Sequence, residues 1–176
     1  MLLKEHLKQA HRSGKPCELD SLLTRVLDPT AITEVAEAIA KTYRHSGITH
    51  ILTAEPAGIA LAYKTAELLS VKAVFARKRE ETEAYQALVN SKTNTTLYLP
   101  RKCLKASDTV LIVDDTLAMG GIAEALVEIT RQANATLAGV GVALEKSYLD
   151  GKRKLLARGI TVFSAVRITD ETGTVE

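Results

Sequence analysis

Residues 110 to 122 read VLIVDDTLAMGGI. An apolar run meets two adjacent aspartates, Asp114 and Asp115, and after four intervening residues Gly120 and Gly121 open a stretch of helical pattern. Carboxylates side by side repel one another unless something cationic or hydroxyl-rich lies over them, so the pair asks for a ligand. A strand running into a tight turn and a helix start also supplies free backbone N–H groups directed at whatever the turn encloses. A phosphate at the turn and a polyhydroxylated ring over the carboxylates would satisfy every group.

Two other phosphate motifs are excluded by their missing residues. No Lys follows Gly120-Gly121 as a Walker A loop requires, and Gly139 and Gly141 in AGVGVAL lie inside a strand pattern without the third glycine of a dinucleotide fingerprint.

The surrounding chain reads as alternating elements. An amphipathic helix is expected over 2–11, and Asp28-Pro29 caps another that runs to about residue 45 with Ile32, Val35, Ala36, Ile39 and Ala40 on one face. ITHILTA is a strand, IALAYKTAELL a helix and KAVFAR a second strand, together a βαβ unit. Residues 79 to 95 are polar without a strong period and read as a mobile excursion, after which TLYL forms a hairpin arm. TVLIVDD is a buried strand, followed by a helix in GIAEALVEITRQA, a strand in TLAGVGVALE, a short helix in YLDGKRKLLARG and a closing strand in ITVFSAVRI. Continuous apolar strand runs alternating with helices predict an α/β fold, a largely parallel twisted sheet covered on both faces. In such sheets ligands sit at the carboxyl ends of the strands, where Asp114 and Asp115 fall.

At 176 residues and 46% hydrophobic content the chain fits one domain, with a helical flank over 1–46 and an α/β core over 47–170. The net charge of +2, with acids and bases interleaved, excludes a nucleic-acid or anionic-membrane footprint. Cys17 and Cys103 have no ligand-like spacing and read as reduced thiols. The first residues lack a signal-peptide core and no apolar run approaches a membrane span, so a cytoplasmic protein is expected. His6 and His11 lie on the terminal helix, while His45 and His50 flank the Gly47 turn with no carboxylate partner in view; all four read as surface residues.

The strand, acidic pair, small residue and glycine turn of 110–122 resemble the signature of the type I phosphoribosyltransferases. The resemblance extends over DSLLTRVLDP, GITHILTAEPAGIA, VFARK and GVALEKSYLDGKRKLL, and is nearest to the xanthine-using branch. It implies transfer of ribose 5-phosphate from phosphoribosyl diphosphate to a purine, with Mg²⁺ bound mainly through the substrate and a homodimer as the assembly. It further implies that Asp114 and Asp115 hold the ribose 3- and 2-hydroxyls. Such carboxylates also favour the cationic ribose of an oxocarbenium-like transition state.

The same resemblance assigns the diphosphate to the turn Glu55, Pro56, Ala57 and Gly58, with Arg77 and Lys78 in reach. It assigns the 5-phosphate to Ala118, Met119, Gly120, Gly121 and Ile122. Lys146, past the end of a buried strand, is expected at the purine edge; an ammonium only donates, so it suits a 6-oxo group and not an exocyclic amine. Glu145 is read as its structural neighbour. Met119 and Ile122 stand where hydroxyl residues usually help to bind the phosphate, Thr24 stands where the xanthine enzymes carry an Asn facing the base, and Ala118 where some 6-oxopurine enzymes place an acid. The choice among xanthine, hypoxanthine and guanine therefore stays open. Two alternatives remain: an adenine-using enzyme, and a sensor that binds phosphoribosyl diphosphate without transferring it. Against the sensor, the 45 or so residues before the first strand are too few and too uncharged for a winged helix.

Overall fold

The computed structural model describes residues 1–14, 19–90 and 93–176, so Cys17 lies outside the described residues. After helix α1 (Leu2–Arg12) comes a π-helical turn, Asp20–Thr24, and then helix α2 (Pro29–Tyr43). Asp28 caps α2 as the Asp-Pro pair predicts: its Oδ1 accepts the N–H of Thr30 at 2.8 Å and of Ala31 at 3.0 Å.

Strand β1 (His50–Ala54), helix α3 (Ile59–Leu69) and strand β2 (Lys72–Ala76) form the βαβ unit. Strands β3 (Ala84–Asn90) and β4 (Thr95–Pro100) make an antiparallel hairpin. Strand β5 (Thr109–Leu117), helix α4 (Gly121–Gln132), strand β6 (Thr136–Lys146), helix α5 (Gly151–Ala157) and strand β7 (Val162–Ile168) complete the chain. The main sheet has the order β2-β1-β5-β6-β7 and every pairing in it is parallel.

Both faces are covered, as continuous apolar strands require. On one face Val35 and Ile39 of α2 and Leu61 of α3 pack on Ile51, Leu111 and Val113. On the other, Leu126 and Ile129 of α4 pack on Leu52, Val110 and Ile112. Gly141, excluded above as a nucleotide motif, has a packing reason: a Cβ there would come within 2.8 Å of Ile39 Cγ2. Among the described residues no helix is long and apolar enough to cross a membrane.

Three expectations are corrected. The 79–95 excursion contains a strand, β3, whose Tyr85 and Ala87 are buried while Gln86 and Leu88 face outward. The period-2 signal is present in AYQAL, and its inward residues join the core cluster that α4 shares with one face of the main sheet. The Gln132 side chain of α4 holds β3 by both backbone groups of Gln86, accepting its N–H at 3.2 Å and donating to its carbonyl at 2.8 Å. β5 does not end on the aspartates but runs two residues further, to Leu117. His50 does have a carboxylate partner: its Nδ1 stands 3.6 Å from Asp108 Oδ1. That pair lies at the amino ends of β1 and β5, across the sheet from the acidic pair.

Candidate active site

Because β5 continues through Asp114 and Asp115, the strand itself sets where both carboxylates stand. Asp114 is 6% exposed and Asp115 half-buried. The Asp115 N–H donates to Asp114 Oδ1 at 3.0 Å, and the Thr116 hydroxyl donates to Asp115 Oδ2 at 3.2 Å. Burial pushes the Asp114 carboxyl well above the usual carboxylate range, and the charge of Asp115 pushes it further. A ligand presenting hydroxyls or positive charge would relieve that penalty.

The turn beyond β5 is built around Gly120, whose φ of 88° lies in the left-handed region that glycine alone enters without strain. No side chain caps α4, so its first N–H groups are left for a ligand. The carbonyls of the turn are held from behind: Ala118 accepts the Gly151 N–H at 3.0 Å, and Met119 accepts the Lys154 ammonium at 3.1 Å. The turn borders a pocket of about 300 Å³ lined by Asp114, Thr116, the whole of Ala118 to Ile122, and Val89 and Asn90 of β3. Gly151 and Lys154 were not singled out from sequence. The YLDG turn signal marks the first, but nothing local tells which carbonyl it meets.

The second turn, Glu55 to Gly58, leaves the end of β1 and starts α3. Glu55 donates its N–H to the Ala76 carbonyl at 3.0 Å, and its Oε2 lies 3.7 Å from Arg77 Nε. The Arg77 guanidinium also stacks over Phe75, 5.1 Å from the ring centre, so the cation is steered by two neighbours while Lys78 follows in an exposed bend. Gly58 brings this turn against the acidic pair: a Cβ on it would overlap the Thr53 hydroxyl and lie 2.7 Å from Asp114 Oδ1. Pro56 and Ala57 face the other way, lining a cavity of about 580 Å³ with Thr24, Leu27 and Tyr63.

The structure thus brings Asp114 and 118–122 into one pocket, and the 55–58 turn against Asp114. It separates the two residues expected at the base. Thr24 lines the larger cavity beside Pro56 and Ala57, whereas Lys146 ends β6 and lines neither cavity. Glu145 is the structural partner expected: buried, it accepts from Lys152 at 2.8 Å and from the Ser164 hydroxyl at 2.5 Å. Lys146 is left at the carboxyl rim, opposite Ile168 of β7.

Known proteins resemble this chain over most of its length. Residues 23–165 match the phosphoribosyl transferase domain family. A xanthine phosphoribosyltransferase of Pseudomonas fluorescens is 35% identical over 170 residues, 93% of this chain and 90% of that protein. One of Bacillus cereus is 38% identical over 171 residues, 93% of this chain and 87% of the relative. Among solved structures, the adenine phosphoribosyltransferase of Leishmania donovani superposes with a TM-score of 0.77, covering 98% of this chain and 84% of its own, at 18% identity. At that identity the likeness is one of fold.

Proposed function

Because the chain belongs to the phosphoribosyl transferase family and is a phosphoribosyltransferase, we propose that it transfers ribose 5-phosphate from phosphoribosyl diphosphate to a 6-oxopurine in purine salvage, releasing diphosphate. The observation that carries the choice of base is Lys146, an ammonium at the carboxyl end of β6 on the rim shared with the acidic strand, while its neighbour Glu145 is turned inward and engaged. A group that only donates rewards a carbonyl at purine position 6 and leaves the amine of adenine facing a cation. Likeness to xanthine-using relatives over nearly the whole chain supports the same choice.

In this reading Asp114 and Asp115 hold the ribose hydroxyls, and their charge favours the cationic sugar as the glycosidic bond lengthens. The N–H groups of 118–122 hold the 5-phosphate, with Lys154 adding positive charge behind the turn. The turn Glu55 to Gly58, with Arg77 and Lys78, receives the diphosphate, and Thr24 approaches the base from the N-terminal flank beside that turn. The oxygen donors of the acidic pair suit a hard cation. Among the described residues no three acidic, His or Cys side chains gather into a cage, so Mg²⁺ would be carried mainly by substrate oxygens beside Asp114 and Asp115. When bound it neutralises charge on the leaving diphosphate. A cytoplasmic homodimer belongs to the same reading, and sedimentation velocity checks the assembly.

The test is kcat/KM for xanthine, hypoxanthine, guanine and adenine with wild type and Lys146→Ala. A 6-oxopurine should lead in the wild type, and the variant should lose most of that preference while keeping its affinity for phosphoribosyl diphosphate. If adenine leads, or the variant keeps the wild-type ranking, the base assignment is wrong.

A further inference from the structure

Among the described residues, one buried side-chain polar atom makes no hydrogen bond: the hydroxyl of Thr53, near the end of β1. Thr53 is 1% exposed. Buried hydroxyls are almost always paired, and an unpaired one destabilises the fold, so a position that a valine of the same shape would fill more favourably calls for a reason. Its surroundings suggest one. Thr53 Oγ1 and Asp114 Oδ1 face the same small volume beside the Gly58 Cα, each close to where a Cβ would project. Gly58 has none, and the hydroxyl on β1 and the carboxylate on β5 both border the space this leaves beside the 55–58 turn.

We propose that Thr53 is a positioning residue for the transfer reaction: in the substrate-bound enzyme its hydroxyl donates to Asp114 Oδ1 and holds that carboxylate against the ribose. Asp114 Oδ1 accepts the Asp115 N–H at 3.0 Å, and a carboxylate oxygen has room for a second donor. The unpaired Thr53 hydroxyl is such a donor at hand. The hydroxyl also ties the acidic pair to the turn that receives the diphosphate, since Gly58 stands between them. Position 53 therefore trades stability in the free enzyme for orientation in the reacting one.

This inference rests on the role given to Asp114, and the experiment separates the two. Single-turnover rates and steady-state constants are measured for wild type, Thr53→Val, Thr53→Ser, Asp114→Asn and the Thr53→Val/Asp114→Asn double variant, using whichever base turns over fastest so that the base assignment does not enter. Thr53→Val should lower the rate by about 10- to 100-fold, the scale of a misplaced catalytic group, with KM for phosphoribosyl diphosphate changed by less than about twofold. Thr53→Ser should restore most of the rate, and Thr53→Val should have little further effect once Asp114 is Asn. The melting temperature of Thr53→Val should equal or exceed that of the wild type, which a purely structural role would not give together with a lost rate. If that variant fails to fold, Thr53→Ala carries the same comparison. A wild-type rate in Thr53→Val, or an undiminished effect in the Asp114→Asn background, overturns the inference alone. A wild-type rate in Asp114→Asn overturns the role of Asp114 and this inference with it.

Discussion

The backbone N–H of Gly151 donates to the Ala118 carbonyl at 3.0 Å, fastening the start of α5 to the turn between β5 and α4. A Cβ on Gly151 would overlap that carbonyl. Gly151→Ala must therefore push the turn toward the pocket. The fold should survive with a loss of about 1–3 kcal/mol, the usual range for overpacking. KM for phosphoribosyl diphosphate should rise by about 10-fold or more if the N–H groups of the turn hold its phosphate. Urea melts and steady-state kinetics measure the two effects, and an unchanged KM would remove the turn from the binding site.

Asp115 is the more exposed of the acidic pair and the one oriented by Thr116. Asp115→Asn keeps the shape and removes the charge, so turnover should fall by about 100-fold or more while circular dichroism stays native, as expected when a charge partner of the transition state is lost. Turnover at the wild-type level would sink its assignment.

Asp114 gives a stability prediction with a definite sign. Its carboxyl in the folded protein titrates above the unfolded value of about 3.9, because burial and Asp115 disfavour the charged form. The stability linked to that proton is fully present below the unfolded value and is lost as pH rises through the folded one. Asp114→Asn should raise the melting temperature at about pH 7 to 8, by about 2–4 °C per kcal/mol recovered, and leave it nearly unchanged at about pH 3. A Tm difference that is the same at both ends of the range would contradict the shift.

Restoring hydroxyls to the phosphate turn separates two positions that look equivalent in sequence. Met119 is 54% exposed, so Met119→Thr disturbs no packing and can add a hydrogen bond to a charged phosphate worth about 1.5–3 kcal/mol. Ile122 packs against the cluster that includes Leu126 and Ile129, so Ile122→Thr should lose about 1 kcal/mol or more of stability along with any gain in binding. Titration calorimetry with phosphoribosyl diphosphate, set beside thermal melts, should show tighter binding without destabilisation at position 119 alone.

Much of this protein is legible in sequence because it depends on neighbours along the chain. The continuous apolar runs of β1, β5 and β6 announce strands buried on both faces, the Asp28-Pro29 cap marks the start of α2, and Gly120-Gly121 after the acidic strand announces the turn into α4. What the sequence left open depends on residues far apart in the chain. The alternation of β3 is written in Tyr85 and Ala87, yet its meaning came only from α4, which supplies the surface those residues cover and the Gln132 amide that holds Gln86. His50 finds Asp108, and Gly151 finds Ala118, only because parallel strands bring distant segments side by side. The placing of Thr53 and Asp114 around Gly58 has the same origin. Local pattern determines which way a backbone runs and which face it buries, whereas a contact between an amide, a hydroxyl or a carboxylate and its partner across the fold is settled within a few tenths of an ångström by how whole elements pack.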